Sequence, residues 1–554
     1  MTSSPVCTCT ACQIHPRLPR VTAGAGLDAW PQWTKPIFDH LAPVVAWLDG
    51  PEAMATGHGG LEARLQIDSR ETYRLLLQGH LDERARREPR LPAVTGSDGV
   101  CRTRVENGHD RGLTSVFGPV TVTRKAYRAT PERSASDRAR PDNARPDNDA
   151  APDSTTEPVA GNLHPADVVL NLPAGRPSAG LRRLAAVEAS RGSFDDTVEA
   201  IERATGVHLG KRQVEDLARH AATDVPAFYT ARRPDPCPDR VLGLQCDGKG
   251  IVMRPGSLRP ATAKAAAAST GKLSTRLSPG EKKNRKRMAE VVAVYDLDPA
   301  PRTVQDIIPS TDGPSRQDPP ARRPRPVVTG KWLSANVIDD MPTVIATMFD
   351  EADRRDPDHE RTWVALVDGN CQQLDAITAQ AAARDVKVTI IIDFIHVLEY
   401  LWQAAWTLYP PAEPEAETWV ADHARTVLTG HAQHVAATIT RQADQGGFRG
   451  SERTGADKAA AYLTAKAAYL DYPTALARGW QIATGIIEGA ARHLIKDRMD
   501  ITGARWTTEG AQAVLALRAV ITNGDFDAYW TFHQQQELRR NHLDRYQHTF
   551  DLVA

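Results

Sequence analysis

The stretch Thr362–Trp402, TWVALVDGNCQQLDAITAQAAARDVKVTIIIDFIHVLEYLW, predicts a strand–helix–strand unit. Two largely apolar runs, Trp363–Val367 and Val386–Ile392, each end in an aspartate, and apolar residues at helical spacing lie between them. Near-continuous apolar runs of this kind are typical of parallel strands buried on both faces. Ligands and chemistry collect at the carboxyl ends of strands in open α/β sheets. The two aspartates, Asp368 and Asp393, are therefore candidate site residues.

The composition indicates a chain of several domains with substantial cores, because 41% of its 554 residues are apolar. Lys+Arg 68 against Asp+Glu 69 leaves a net charge of −1, so the global basic balance of many nucleic-acid binders is absent. Positive charge is concentrated locally, as in EKKNRKR at Glu281–Arg287. Such a patch can bind phosphates while the average is neutral, and its alternative is an ordinary solvated face.

The seven cysteines do not indicate a disulfide framework in so long a chain. Cys7, Cys9 and Cys12 form a C-x-C-x-x-C cluster that fits either a zinc site or a reduced N-terminal tail, and no second ligand pair follows at knuckle spacing. The sequence contains no signal peptide and no apolar run of membrane-spanning length, so we expect a cytoplasmic protein without a membrane partner.

Local patterns divide the chain into seven segments. The N-terminal half is predicted to contain a helical region at 1–98, a β-hairpin region at 99–129 with its turn at Asn107-Gly108, and a disordered linker at 130–161 that repeats ARPDN. The hairpin is either a structural subdomain or a DNA contact. The remaining segments are a helix-turn-helix-like domain at 162–232, an α/β core at 233–402, an all-α insertion at 403–480, and a return to the core with the C-terminal tail at 481–554.

The helix-turn-helix prediction depends on three helical patterns, Ser178–Ala189, Ser193–Thr205 and Lys211–Thr223, with a glycine-containing turn before the last. The third helix opens with positively charged and amide side chains, which would face phosphates or base edges: Lys211, Arg212 and Gln213. A purely structural three-helix module is the alternative.

The core begins with an apolar strand, VLGLQCDGKGIVM, that carries Asp247 near its end. MAEVVAVYDLDP and RTVQDIIP are predicted as the next two strands, and Ala335–Ala352 as an amphipathic helix. The resulting order is strand, strand, strand, helix, strand, helix, strand, helix. This order predicts an α/β ribonuclease-H-like catalytic domain, interrupted here by an all-α insertion.

Three acids on separate elements are the catalytic and metal-binding candidates, namely Asp247, Asp368 and Glu488. Phosphoryl transfer to water or to a 3′-hydroxyl uses two divalent cations about 4 Å apart, and Mg²⁺ prefers oxygen ligands. A central acid flanked by two others meets that need. Acids after strands are also common as turn residues and helix N-caps, and Asp368-Gly369-Asn370 makes a plausible turn by itself.

Five stretches of the chain resemble bacterial insertion-sequence transposases of the DDE type, in the Kra-type branch of the Mutator-like group. They are CDGKG, GEKKNRKRMAEVVAVYDLDP, VDGN, IDFIHVLEYLW and GIIEGAARHLIKDRMDITGARW. The resemblance covers about Gly112 to Tyr546. It implies that Asp247, Asp368 and Glu488 hold two Mg²⁺ or Mn²⁺ ions, and that Asp368 rather than Asp393 is the second ligand, which position on a strand alone leaves open.

The resemblance also implies an accessory role for Asp393 and His396, which match a D-or-C-x-x-H element, and a core histidine that caps the strand is the alternative for His396. Basic residues would contact double-stranded DNA at the transposon ends and the target, or form solvated helix faces. The candidates beyond the third helix are Lys282, Lys283, Arg285, Lys286, Arg287, Arg492, Lys496, Arg498 and Arg505.

The sequence thus predicts a nucleoid-associated transposase that binds terminal inverted repeats, cleaves a DNA strand and transfers its 3′-hydroxyl to target DNA as a dimer or higher oligomer. Two alternatives stay open. One is a ribonuclease-H-like nuclease without strand transfer, and the other is a DNA-binding derivative that has lost catalysis.

Overall fold

The computed structural model describes residues 30–129, 161–234, 237–268, 285–309, 325–501 and 503–547, and the chain divides into two compact units. One unit comprises residues 1–181, 205–207 and 537–554, and the other comprises residues 182–204 and 208–536. The cysteine cluster, the expected linker up to residue 160, Lys282 and Lys283 lie outside the described residues.

The first unit combines a helical hairpin with a small antiparallel sheet, in the order β1-β2-β3. Its elements are α1 (Lys35–Leu48), α2 (Pro51–Ala55), α3 (His58–Arg87), β1 (Val94–Thr95), β2 (Cys101–Ser115), β3 (Gly118–Ala129) and α4 (Pro165–Leu170). Leu81 of α3 packs on Leu113, Val120 and Val122 of the sheet. Gln78 fixes the same helix to β3, because its side chain exchanges two hydrogen bonds with the backbone of Thr121.

The predicted hairpin exists, but its turn is not at Asn107-Gly108. Those residues lie inside β2, where the register with β3 shifts between Glu106 and His109, so they form a bulge. The chain reverses instead between Ser115 and Gly118, where the Ser115 hydroxyl donates to the Gly118 carbonyl at 2.8 Å. Gly108 takes φ +75° in this bulge, and an Asn-Gly pair fits either feature because some bulges, like tight turns, place glycine at positive φ.

Four helices follow, α5 (Ala179–Arg191), α6 (Phe194–Thr205), α7 (Lys211–Ala221) and α8 (Val225–Ala231). The first three match the predicted helices within a few residues. The described side chains of Lys211, Arg212 and Gln213 are exposed at the start of α7, and Val214, Leu217 and Ala218 are buried on its opposite face.

The second unit contains a five-stranded mixed sheet in the order β6-β5-β4-β7-β8. The strands are β4 (Val241–Val252), β5 (Lys286–Asp298), β6 (Val327–Asn336), β7 (Trp363–Val367) and β8 (Val388–Ile392). Strands β4, β5 and β6 pair antiparallel, whereas β7 and β8 run parallel to β4. The helices along this stretch are α9 (Pro260–Ala268), α10 (Val304–Ile307), α11 (Met341–Arg355), α12 (Cys371–Ala383) and α13 (Phe394–Leu408).

The expected third strand, RTVQDIIP, was placed wrongly. Thr303 and Asp306 form a capping box that starts the short helix α10, and this reciprocal capping favours a helical turn over a strand. The third strand is β6, which carries VVTGKWLSAN.

The segment predicted as a helical insertion, 403–480, contains the end of α13 and four further helices, α14 (Pro414–Leu428), α15 (Ala432–Gln445), α16 (Thr454–Ala465) and α17 (Tyr472–Ala477). It shares one hydrophobic core with β7, β8 and α13, in which Leu401, Leu428 and Leu463 are fully buried. The chain then returns through α18 (Gly485–Ala490), the π-helix Ala491–Lys496, α19 (Asp497–Met499), α20 (Thr508–Thr522) and α21 (Phe526–Asn541). None of the helices in the described parts of the chain is long and apolar enough to cross a membrane.

Candidate functional site

Three neighbouring parallel strands bring aspartates to one region of the sheet. Asp368 and Asp393 follow the last residues of β7 and β8, whereas Asp247 lies inside β4, which continues to Val252. Gln245 of β4 pairs with Leu366 of β7, so the register continued by two residues sets Asp247 beside Asp368. Val367 of β7 pairs with Ile392 of β8, which sets Asp368 beside Asp393 in the same way. Since neighbouring strands lie about 4.8 Å apart, these three residues form one row at the sheet edge. In the strand order β4-β7-β8, Asp368 lies between Asp247 and Asp393.

Asp247 and Asp368 are half-buried, and each uses one carboxylate oxygen locally. Oδ1 of Asp247 accepts the N–H of Gly248 at 2.7 Å, and Oδ1 of Asp368 accepts the N–H of Asn370 at 3.0 Å. The Asp368-Gly369-Asn370 turn considered as the alternative is therefore present, and Gly369 takes φ +88° within it. In both aspartates the second oxygen remains available to a ligand.

Glu488 lies in the first turn of α18 and is exposed. Burial raises the pKa of Asp247, and the negative charges of Asp368 and Glu488 raise it further. Asp368 and Glu488 are therefore both close enough to Asp247 to repel its carboxylate, although Asp247 and Glu488 are more than two hundred positions apart in the chain. Mutual repulsion of this kind is relieved by a bound cation.

The donor chemistry of this triad fits divalent cations that prefer oxygen, because carboxylates are the usual protein ligands of Mg²⁺. Within the described ranges, no three histidine, cysteine, aspartate or glutamate side chains form a ready metal-binding group. The argument that Asp247, Asp368 and Glu488 suit a divalent cation therefore depends on their being carboxylates, on their position and on the oxygens that the two aspartates leave available.

Asp393 differs from the other two aspartates because it is fully buried and all its hydrogen-bonding capacity is used. Its Oδ1 accepts the N–H groups of Ile395 at 3.0 Å and Thr484 at 3.3 Å. Its Oδ2 lies 2.8 Å from the Thr484 hydroxyl oxygen and 3.3 Å from Nδ1 of His396. This arrangement favours Asp393 as the N-cap of α13 and a structural partner of its neighbours over Asp393 as a metal ligand.

His396 is half-buried on α13, and its hydrogen bond with Asp393 raises its pKa, with further contributions from Glu399 and Asp368. The influence of Asp368 indicates that His396 lies near the open acids. Asp393 and His396, predicted as an accessory pair, are therefore in direct contact, and His396 is the member of the pair nearer to Asp368.

Thr484 joins the accessory pair to the glutamate. Its hydroxyl oxygen lies 2.8 Å from Oδ2 of Asp393 and 3.1 Å from Oε1 of Glu488, so its single proton is shared between two carboxylates. Thr484 is also the residue that precedes α18. The start of the glutamate helix is thereby fixed against the end of β8.

Gln245 makes a second link, from the strand of Asp247 to the helix of Glu488. Its side chain is fully buried, and Oε1 accepts the N–H of Ile487 at 3.0 Å. Its Nε2 donates to the Tyr295 hydroxyl at 2.9 Å, which donates in turn to Oε1 of Gln481 at 2.7 Å. A closed network of buried hydrogen bonds is rigid, so it sets the spacing between the two acids.

The all-α insertion reaches the site through Tyr462 on α16. Its hydroxyl donates to the backbone carbonyl of Asp368 at 3.0 Å, and its ring stacks on Tyr400 with centroids 4.0 Å apart. The insertion therefore braces the loop that carries Asp368.

Glu290 is a fourth acid beside the triad. It lies opposite Gly248 in the β4–β5 pairing, and its Oε2 is 2.7 Å from the position that a Cβ at Gly248 would take. Burial raises the pKa of Glu290 to about 7, and the charge of Asp247 adds to the effect.

Sequence reasoning did not find Gln245, Thr484, Tyr462 or Glu290. A glutamine inside the apolar run VLGLQCDG was a detectable signal, since a polar residue in a buried strand needs partners. The contacts of Thr484 and Tyr462 are made with residues about ninety positions away, so no local pattern indicates them.

The predicted basic residues are distributed over the second unit in different environments. Arg492, Lys496 and Arg505 are exposed, as is Lys286, while Arg285 is half-buried. Arg287 donates to the backbone carbonyls of Val337 at 2.6 Å and Ile338 at 2.7 Å, so its guanidinium stabilises a loop.

Arg498 contradicts its assignment as a DNA contact. It is 2% exposed, donates to the carbonyl of Ala189 at 3.0 Å, and lies over the Trp506 ring at 4.8 Å. Burial and the neighbouring Arg518 lower its pKa to about 10. A guanidinium enclosed by aromatic rings and backbone stabilises the core and cannot reach a phosphate.

The comparisons with known proteins add no family assignment, since neither the protein-family models nor the curated proteins that were searched match this chain.

Proposed function

We propose that this chain is a DDE transposase that cleaves and joins DNA strands at the ends of its own element. The observation that carries the proposal is the row of acids at the sheet edge, in which Asp247 and Asp368 lie on adjacent parallel strands and Glu488 enters from a helix. The strand order and the helical insertion before the glutamate support the same conclusion. The resemblance of the five sequence stretches provides the specific reaction.

Asp247, Asp368 and Glu488 would hold two Mg²⁺ or Mn²⁺ ions, which supply the charge stabilisation and nucleophile activation that phosphodiester cleavage needs. Asp247 would lie beside both other acids, since the neighbouring strand β7 leads to Asp368 and Gln245 of β4 accepts the N–H of Ile487, next to Glu488. Gln245 and Thr484 keep Glu488 at a fixed distance from the aspartates, and Tyr462 holds the Asp368 loop. Preorganisation of this kind lowers the barrier because the ligands need not move during the reaction.

The exposed start of α7 and the exposed Arg492, Lys496 and Arg505 are the candidate contacts to duplex DNA in the second unit. Basic side chains at these positions would bind phosphates and position the strand at the acids. Synapsis of two transposon ends would require at least a dimer on DNA.

The test uses duplex DNA that contains the sequences flanking the coding region, incubated with the full chain and Mg²⁺ or Mn²⁺. Nicks are mapped at nucleotide resolution, and joining is scored as insertion into a plasmid. We expect cleavage at the repeat boundary and its loss in Asp247→Asn, Asp368→Asn and Glu488→Gln, with end binding retained. Asp375→Asn is the matched control because Asp375 is an exposed acid on α12, close to Asp368 in sequence.

Cleavage without joining would identify a nuclease. Binding without cleavage in either metal would contradict the catalytic proposal and support a DNA-binding protein. Full activity of the Glu488→Gln variant would remove Glu488 from the triad.

A further inference from the structure

A cavity of about 450 Å³ lies within the first unit, between the β2–β3 hairpin and the C-terminal segment. Four arginines and a single carboxylate line it, together with a buried histidine. These residues are Arg111, Arg124, Asp167, Arg540, His542 and Arg545. We call this cavity the Arg124 pocket.

A single carboxylate faces two largely buried guanidinium groups. Asp167 Oδ1 lies 3.0 Å from Nε of Arg124, while Asp167 Oδ2 lies 3.7 Å from Nη1 of Arg111. One negative charge is therefore shared between two largely buried arginines. Arg540 and Arg545 at the rim are exposed and add further positive charge.

Arg124 has a buried hydrogen-bond donor with no acceptor among the described residues. Its side chain is 11% exposed, and its Nη1 has no hydrogen-bond acceptor among the described residues. Arg111, by contrast, donates from Nη2 to the carbonyl of Ala174 at 3.0 Å. A buried donor without an acceptor costs free energy, so an anion at Nη1 would stabilise the pocket.

The electrostatics of neighbouring histidines agree with this excess of positive charge. Burial lowers the pKa of His164 to about 4, and the charges of Arg124, His109, Arg545 and Arg111 contribute to the same shift. His542, whose Nε2 bonds the Leu172 carbonyl at 2.8 Å, also has a lowered pKa from burial and from Arg111 and Arg545. Neutral histidines leave the arginines as the positive groups that face the cavity.

We propose that the Arg124 pocket binds a phosphate-class oxyanion. Guanidinium groups match the oxygens of phosphate in paired hydrogen bonds, and several of them around one cavity favour a multiply charged group over a carboxylate. The cavity is open to solvent at Arg540 and Arg545, so a phosphate that is part of a polymer can enter there. In the cell, the group is then the phosphodiester backbone of DNA. This assignment rests on the proposed function, whereas the anion site itself does not.

The first measurement uses inorganic phosphate as the probe and the full chain as the sample. Calorimetric titration and the rise of Tm with phosphate are compared in wild type, Arg124→Met and the Arg540→Ala/Arg545→Ala double variant. Arg86→Ala is the control, because Arg86 is an exposed arginine of the same unit that pairs with Glu83 on α3. We expect phosphate to raise the Tm of wild type and the control, with the response lost in Arg124→Met and weakened in the double variant.

The second measurement distinguishes the sources with a fluorescent duplex titrated at several KCl concentrations. Loss of one bound backbone phosphate lowers the magnitude of the slope of log K against log[salt] by about 0.9. We expect that change in the double variant and none in the control. If the double variant binds phosphate weakly but DNA normally, the assignment to the DNA backbone is wrong and the ligand is free phosphate.

Equal responses to phosphate in all variants would overturn the site itself. Because the double variant changes two exposed side chains, its result does not depend on the folding of Arg124→Met. Neither readout requires cleavage, so failure of the triad to cut DNA would leave this inference standing.

Discussion

The side-chain oxygen of Gln245 accepts the backbone N–H of Ile487 at 3.0 Å, across 242 positions of sequence. Gln245 precedes Asp247 by two residues, and Ile487 precedes Glu488 by one. A single buried hydrogen bond therefore ties the element of the first acid to the element of the third. This bond therefore helps to set the distance between Asp247 and Glu488.

Gln245→Met should raise the metal concentration needed for half-maximal cleavage by about tenfold, because small displacements of catalytic groups have large effects on rate. It leaves the Ile487 N–H without its acceptor, so the free energy of unfolding should also fall by about 1–3 kcal/mol. Metal titration of the nicking rate and urea unfolding measure the two effects.

The matched control for that variant is Gln512→Met. Gln512 also accepts a backbone N–H, from Val337 at 2.9 Å, and donates to the carbonyl of Ala335 at 3.3 Å. It should lose comparable stability with no change in metal requirement. A similar shift of the metal requirement in both variants would mean that Gln245 acts only through stability.

Asp393→Asn should lower the free energy of unfolding by about 1–3 kcal/mol. Both carboxylate oxygens of Asp393 accept hydrogen bonds, and the NH2 group of an asparagine cannot accept those made to one of them. The pKa of His396 should fall at the same time, since the bond with Asp393 is the main cause of its rise. Urea unfolding and an NMR titration of the histidine measure these changes. The raised pKa means that the His396 contribution to stability is present below its unfolded pKa and lost as pH rises through the folded value.

Asp368→Asn provides the contrast, since its carboxylate is half-buried and keeps a free oxygen. It should remove cleavage while unfolding stays within about 0.5 kcal/mol of wild type, as for most accessible substitutions. The reverse pattern, with a stable Asp393→Asn variant that is silent in cleavage and an active Asp368→Asn variant, would exchange the roles of the two aspartates.

Glu290→Gln should stabilise the chain at high pH and have little effect at low pH. The folded pKa is raised from 4.5 to about 7, so the folded state favours the protonated side chain. The contribution of Glu290 to the free energy of unfolding of wild type is then fully present below about pH 4.5 and is lost progressively up to about pH 7. The advantage of the glutamine should grow over that window to about 1–3 kcal/mol and then remain constant.

Thermal unfolding from pH 4 to pH 9 measures this difference, with the exposed Glu509→Gln as the control that should show no such trend. A constant difference between Glu290→Gln and wild type at every pH would show that Glu290 ionises normally in the folded chain.

Tyr462→Phe should lower the rate of cleavage by about two- to tenfold, because it removes the hydrogen bond to the Asp368 carbonyl while the stacked ring remains. Single-turnover nicking at saturating metal measures the rate. Tyr400→Phe removes a hydroxyl from the other ring of the stack and should leave the rate unchanged. Equal losses in both variants would assign the effect to the stack and not to the bond.

The sequence alone was sufficient for the elements that carry strong periodicity. The helices α5 to α7, the strands around Asp247 and Asp368 and the helical insertion were predicted because their apolar residues repeat at 3.6 or form short buried runs. Polar and glycine-rich segments were less predictable, since Asn107-Gly108 fits a bulge as well as a turn, and RTVQDIIP contains both strand-forming residues and a capping box.

Only the tertiary structure distinguished the environments of chemically similar residues. Asp368 and Asp393 both follow an apolar strand. Thr484, ninety-one positions after Asp393, donates to the Asp393 carboxylate, whereas the Asp368 carboxylate keeps an accessible oxygen. Arg498 and Arg505 both look like basic residues of a helical face, yet Trp506 and Ala189 enclose the first of them. Burial and hydrogen-bond partners come from elements far apart in the chain, and local patterns therefore determine which residues are candidates but not which of them face solvent.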